Sequence, residues 1–367
     1  MSLLDSITQL FQRDAVHLER VVLAAGHVSP APAGGGAIGA GDGYFRLWLS
    51  EMYLKNDRQW FKTYYPVVQS FTTFSFGTQP NVEIAQVAGP GRLQDVDAAH
   101  LDHMLQLNYS LTPLVPFSGG KVMIQAGLIA MLMQGGDLLQ RFIEVAGSVS
   151  SLIAVPQLST ALNIAGTVTK TVDQLLGIGD KQMRLGYQDT FVGKGGGGAN
   201  DLRPAYIAAI AAPSGTYGED QLWVKDGALL SGPDAASAAP LADVDYMLLR
   251  LEIRAERDDW DSLTSIAEPF NKAFEALKQV DASGNPKLAD ADVFIRTAAL
   301  AAVTSADLTD KDRIRVARAI RDRYNAYKDA VFGAKALEQP PAPTMAEVAR
   351  AARGLDTAPV TVGELFG

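Results

Sequence analysis

The chain contains no cysteine in its 367 residues. That removes disulfides, thiol nucleophiles and Cys-ligated zinc or iron–sulfur centres, and it fits a reducing compartment. Histidine is scarce, with four in all, so general bases and imidazole ligands are few. Positive charge is in deficit: 32 Lys and Arg stand against 41 Asp and Glu, a formal net charge of −9. Nucleic acid and anionic lipid both select for a basic footprint, so neither is expected as a partner. Long apolar runs are missing too. No window offers the roughly twenty strongly apolar residues of a transmembrane helix. The N-terminus has neither the basic nor the apolar region of a signal peptide. The expectation is a cytoplasmic protein without a cofactor, and the abundance of Ala and Gly suggests a bacterial source.

Catalytic signatures are also lacking. There is no Gly-x-Ser-x-Gly elbow, Walker loop, paired-histidine zincin helix or kinase loop. Gly34, Gly35 and Gly36 follow no strand and precede no Gly-Lys-Ser/Thr, so they read as linker. Ser118-Gly119-Gly120-Lys121 reads as a hairpin turn.

What is present is 47% hydrophobic residues, enough to build a substantial core. Leu3, Leu4, Ile7, Leu10, Phe11 and Leu18 fall at helical spacing, so residues 1–27 read as an amphipathic helix that docks on a partner. A Gly/Pro linker, 28–43, separates it from the rest. From Tyr44 the period changes to two. Phe45, Leu47 and Leu49 alternate with Arg46, Trp48 and Ser50. Leu105, Leu107, Tyr109 and Leu111 alternate with polar residues in the same way. Lys121–Met131 is apolar throughout and reads as a central strand. With further strands near 67–76, 82–87, 181–192, 205–211, 221–225 and 244–255, residues 44–255 form a β-sandwich-like domain. A helical domain follows over 256–333. Its first helix carries Leu263, Ile266, Phe270, Phe274 and Leu277, capped by Asp258 or Asp259. Its last carries Val316, Ile320 and Tyr324 behind a Thr309/Asp312 capping box. Residues 334–367 are a Pro-rich linker, a short helix and a mobile tail. The fold class is α+β.

Into the sandwich is inserted an αα-hairpin over 137–177, with Leu138, Phe142, Val145, Leu158, Leu162 and Leu175 at helical spacing and Pro156 between the two runs. Residues 145–169 carry no charge. A solvated helix face normally carries Lys and Glu, whereas this one offers Ser148, Ser151, Thr160, Asn163 and Thr167. Small residues let another backbone approach closely, so these five are the expected partner-facing positions. Leu365 and Phe366 in the tail are further docking candidates. Among the other polar groups, Asp97, His100 and His103 could hold a divalent metal. The competing reading is a solvated loop, since their spacing matches no zinc signature. Lys311, Arg315 and Arg318 form a basic stripe interleaved with Asp, which reads as a salt-bridged solvent face.

The expected function is therefore a non-enzymatic interaction or scaffold component of a bacterial cytoplasmic assembly, whose partners are other proteins or further copies of itself. One alternative is a conditionally membrane-inserting, pore-forming protein that uses the 137–177 hairpin. The other is a metal-dependent enzyme built on the 95–103 cluster. Lysine at Ser151 or Thr160 separates static packing from insertion. If the hairpin is static, the buried charge costs several kcal/mol, read as a lost unfolding transition without dependence on lipid. If the hairpin inserts, the soluble form stays folded and liposome leakage stops, because mid-bilayer Lys costs about 2.5–3.5 kcal/mol.

Overall fold

The computed structural model describes residues 18–32, 34–55, 58–59, 62–89, 104–132, 157–162, 170, 181–195, 200–279 and 287–332. The chain divides into two compact units that meet in sequence at Ala255 and Glu256. The fold is mixed α+β, with mainly antiparallel sheets in the first unit and helices in the second.

Strands are numbered in chain order. A six-stranded sheet runs β1 (Glu19–Leu23), β11 (Ala205–Ile210), β15 (Tyr246–Arg254), β3 (Tyr44–Tyr53) and β7 (Met104–Ser110), with β8 (Val115–Pro116) also on β3. A five-stranded sheet runs β10 (Lys181–Val192), β9 (Lys121–Leu132), β5 (Lys62–Phe76) and β4 (Arg58–Gln59), with β6 (Gln79–Ala88) also on β5. A small sheet runs β14 (Ala239–Pro240), β13 (Ala228–Ser231), β12 (Leu222–Lys225) and β2 (Val28–Ser29). Only the β12–β2 pair in it is parallel.

The two large sheets face each other as a sandwich. Phe45 of β3 meets Phe74 of β5 edge to face, with centroids 5.7 Å apart. At the same seam the Tyr109 hydroxyl of β7 donates to Gln86 Oε1 of β6 at 3.2 Å. The period-2 pattern explains these contacts: Phe45, Leu47 and Leu49 are fully buried and share one face of β3. β9 lies between β10 and β5 and is buried along nearly its whole length, as its continuous apolar run implies. Gly119 and Gly120, at φ +103° and +79°, make the turn into it; only glycine adopts such angles readily.

The opposite face of the six-stranded sheet is also covered. Val21, Leu23, Tyr206, Ile210, Tyr246 and Leu248 from that sheet form one cluster with Leu222, Val224 and Leu229 of the small sheet. The six-stranded sheet is thus the middle of three layers.

Phase along β3 decides what faces the small sheet. Leu49 pairs with Leu249 and Glu51 with Leu248, so Ser50 is an extra residue against β15. A bulge of this kind turns every following side chain to the other face. Glu51 and Tyr53 therefore enter the seam with the small sheet. β7 slips beside the same place, with Asn108 at φ +43°, which breaks the alternation expected from 104 to 112.

In the second unit α1 (Thr264–Lys278), α2 (Leu288–Thr304) and α3 (Asp310–Phe332) pack around Trp260, Ile266, Phe270, Leu277, Ile295, Val316, Ile320 and Tyr324. α1 continues through Pro269. The expected aspartate cap is absent: Leu263 occupies the N-cap, and Asp259 pairs instead with Arg257 at 2.9 Å. At α3 the Asp312 amide donates to Thr309 Oγ1 at 3.3 Å, as a capping box requires. The Asp312 carboxylate also accepts the Arg257 amide at 2.7 Å and the Arg315 guanidinium. Arg257 is the largest fully buried side chain among the described residues.

Two expectations about the N-terminal region fail. Residues 19–23 of the expected helix are strand β1, paired in register with β11 from Glu19↔Ile210 to Leu23↔Tyr206. The β-branched pair Val21-Val22 suits a strand, and β11 supplies the hydrogen-bonding partner that a single sequence cannot show. The expected linker 28–43 contains β2 and the buried Ile38, whose amide donates to Leu202 O at 3.0 Å. Residues 1–17 lie outside the described residues, as do 137–156, most of 163–177 and 333–367.

Asp312→Ala should destabilise the helical unit by about 3–5 kcal/mol, since it strips a buried guanidinium network of its carboxylate. Asp312→Asn, which keeps an acceptor oxygen, should lose less. Urea unfolding followed at Trp260 checks both; equal, small losses would show that the network does not hold the unit.

A candidate strand-docking cleft

β1 is the terminal strand of the middle sheet. Beside it runs a cleft of about 640 Å³. One wall is Glu19, Arg20, Val21, Val22, Leu23, Ala24 and Ala25 without a gap. Side chains of a strand alternate between faces, so a wall of consecutive residues means that the main chain itself faces the space. Among the described residues no strand pairs with this edge of β1. Its five residues present about 17 Å of edge.

The remaining lining is Pro32, Gly34–Gly36, Arg203–Ala205, Tyr217 and Glu219. Gly34 has to be glycine: its φ is +121°, and a Cβ would lie 2.9 Å from the Ile253 carbonyl oxygen. Gly35 and Gly36 have nothing within 4 Å of a would-be Cβ, so the lip is open. Arg203 is exposed and has no ion-pair partner among the described residues.

Polar contacts fix β1 at several points. The Glu19 carboxylate accepts the amides of Gly215 and Thr216, pinning the turn before Tyr217. The next residue reaches the other sheet: Arg20 forms an ion pair with Asp189 of β10, and its guanidinium donates to Asn200 Oδ1 at 3.0 Å. Asn200 Nδ2 donates to Asp189 Oδ1 at 3.0 Å, and the Tyr187 hydroxyl donates to Asp189 Oδ2 at 3.2 Å. Burial first, and the Asp189 charge second, push the Tyr187 hydroxyl up, so it stays a donor. Downstream, His27 stacks on Trp223 of β12 with centroids 4.1 Å apart.

None of these residues follows from a catalytic motif, and reading 1–27 as helix hid those of β1. The available signal was Val21-Val22 between charged residues and Ala24-Ala25. Of the expected partner-facing positions only Thr160 is among the described residues. It is partly exposed on a helical turn over 158–162 in which Leu158 and Ala161 are buried, and its amide donates to Gln157 O at 3.2 Å. Ser148, Ser151, Asn163, Thr167, Leu365 and Phe366 lie outside the described residues. So do the weak metal candidates Asp97, His100 and His103. The described residues contain no group of three or more His, Asp or Glu able to hold a metal ion, and no helix long and apolar enough to cross a membrane. On α3, Arg315 pairs with Asp312 and lies 3.4 Å from Glu256. Lys311, Arg318 and the exposed Ile314 line a shallow groove beside it. No protein-family model, no curated protein and no solved structure matches this chain.

The Arg20 side chain is about a third exposed, while that of Asp189 is 9% exposed. Arg20→Ala should therefore cost less than about 1 kcal/mol. Asp189→Ala removes the acceptor for four donors, Arg20, Asn200, Tyr187 and the Thr190 amide, and should cost about 1–3 kcal/mol. Denaturant midpoints of the two variants check the order, and a costlier Arg20→Ala would reverse it.

Proposed function

We propose that the chain is a non-enzymatic interaction component of a bacterial cytoplasmic assembly, and that it holds a partner protein by adding an extended segment to the edge of β1 that no described strand pairs with. The single observation behind this reading is the unbroken run Glu19–Ala25 along the cleft. Unpaired main-chain groups at a sheet edge are a template for another strand, and soluble proteins usually blunt or cover such edges. Here the edge opens on the cleft, behind a glycine lip. In strand addition, main-chain hydrogen bonds give affinity and alternate side chains give specificity. On one face the added strand would continue the row of Val21 and Leu23, which belongs to the apolar cluster under the small sheet. On the other it would continue the row of Arg20 and Val22. The segment favoured is thus four or five residues long, with apolar side chains at alternate positions.

Gly35→Trp tests the reading. The site is sterically open and Gly35 has no positive φ, so the folded state should tolerate the ring while the cleft fills. Extended hexapeptides selected from a displayed library on the wild-type chain should protect β1 amides from hydrogen exchange. Gly35→Trp should weaken their binding at least about tenfold, with a ΔΔG of unfolding within about 0.5 kcal/mol. Peptides that leave β1 amides unprotected and ignore the tryptophan would refute strand addition.

A further inference from the structure

The seam between the middle and small sheets contains one ionisable acid whose placement the strand-docking reading does not use. Glu51 is completely buried. Its Oε2 accepts the Leu229 amide of β13 at 2.7 Å, a hydrogen bond that crosses from one layer to the next. Its Oε1 and the Tyr246 hydroxyl are both buried, and that hydroxyl is the one side-chain polar group acting on the carboxyl among the described residues. Among the described residues, the groups packed around the carboxyl are neutral. β3 contributes Tyr53, whose ring stacks on Tyr246 at 5.6 Å. β15 contributes Tyr246 and Leu248, and the small-sheet side contributes Leu229 and Leu241. Among the described residues no Lys, Arg or His acts on the carboxyl.

An isolated charge in such a seam is strongly penalised, while a neutral carboxyl is tolerated. A chain needing only packing here would place Leu or Val. The Ser50 bulge instead turns an acid inward and aims it at a main-chain N–H of the neighbouring layer. We propose that Glu51 is a proton-operated clasp: neutral, it ties the small sheet to the middle sheet; ionised, it loosens that layer. The layer also carries the side of the cleft opposite β1, since Pro32 and Gly34–Gly36 follow β2 and Tyr217 and Glu219 precede β12. Loosening it therefore changes the width of the cleft.

Burial is the dominant influence on Glu51 and raises its protonation range above the ordinary 4.5; the hydrogen bonds to Leu229 and Tyr246 oppose it and are weaker. The folded state thus binds its proton more tightly than the unfolded state. The clasp's contribution is fully present below about pH 4.5 and is lost as pH rises through the raised folded value.

Hydrogen exchange on the full chain, corrected for intrinsic rates, tests this. From about pH 5 to about pH 8, amides of β2, β12 and β13 should lose about tenfold or more in protection as the carboxyl ionises. Amides of β5 and β9 should not change. Glu51→Gln keeps an acceptor for the Leu229 amide and carries no charge, so its protection should be flat with pH. An equal pH slope in wild type and Glu51→Gln, or a loss spread evenly over all sheets, would overturn the clasp. Should Glu51→Gln fail to fold, the ¹³C titration of the wild-type Glu51 carboxyl decides. A midpoint above the ordinary glutamate range supports the proposal, and one within or below it defeats it.

Discussion

Everything in the β unit depends on one sheet having to satisfy two layers. The six-stranded sheet meets the five-stranded sheet on one face and the small sheet on the other. A strand in that position cannot follow the simple rule of apolar inside and polar outside. β15 shows the outcome: Met247, Leu248, Leu249 and Leu251 are all fully buried, although successive residues point to opposite faces. β3 solves the same problem with a bulge. Before Ser50 its even residues face away from the sandwich; after it the odd ones do, and Glu51, Tyr53 and Tyr246 form a polar strip inside an otherwise apolar seam.

The uncovered part of that outward face behaves differently. Trp48 lies between the guanidinium groups of Arg46 and Arg250, at 5.4 and 4.7 Å from its ring. Its indole donates to Glu252 at 2.6 Å. The Glu252 carboxyl is partly buried, yet hydrogen bonds and charge from Arg254, Trp48 and Arg46 outweigh that burial and hold it below the ordinary range. Glu51 and Glu252, both on the outward face of neighbouring strands, are thus pushed in opposite directions. The difference is the presence or absence of a cation.

Several elements were legible because local chemistry and tertiary context agree. β9 reads as central since no polar face interrupts it. The alternation through Phe45, Leu47 and Leu49 is correct as far as the bulge. α1 to α3 follow the spacing of Phe270, Leu277, Val316 and Ile320. Capping was less legible at α1, because the aspartate suited to its cap had a stronger claim elsewhere. Asp259 serves the buried Arg257, and Asp312 serves both Arg257 and Arg315. The cleft was hidden for a related reason. Five residues following a helical pattern carry Val21-Val22 as their one local sign of a strand, and the partner that makes them one, Tyr206–Ile210, lies about 190 residues later in the chain.

The sequence by itself determined the class of this protein: α+β, acidic, free of cysteine chemistry, with strands where the period is two and helices where it is 3.6. Those properties are local, since each is set by neighbouring side chains and backbone sterics. Only the tertiary structure decided that β1 ends a sheet beside an open cleft, that Ser50 reverses the phase of β3, and that Glu51 is enclosed without a cation. Each of these depends on which distant strand supplies hydrogen bonds or covers a face, and pairing over such separations leaves no trace in the local pattern.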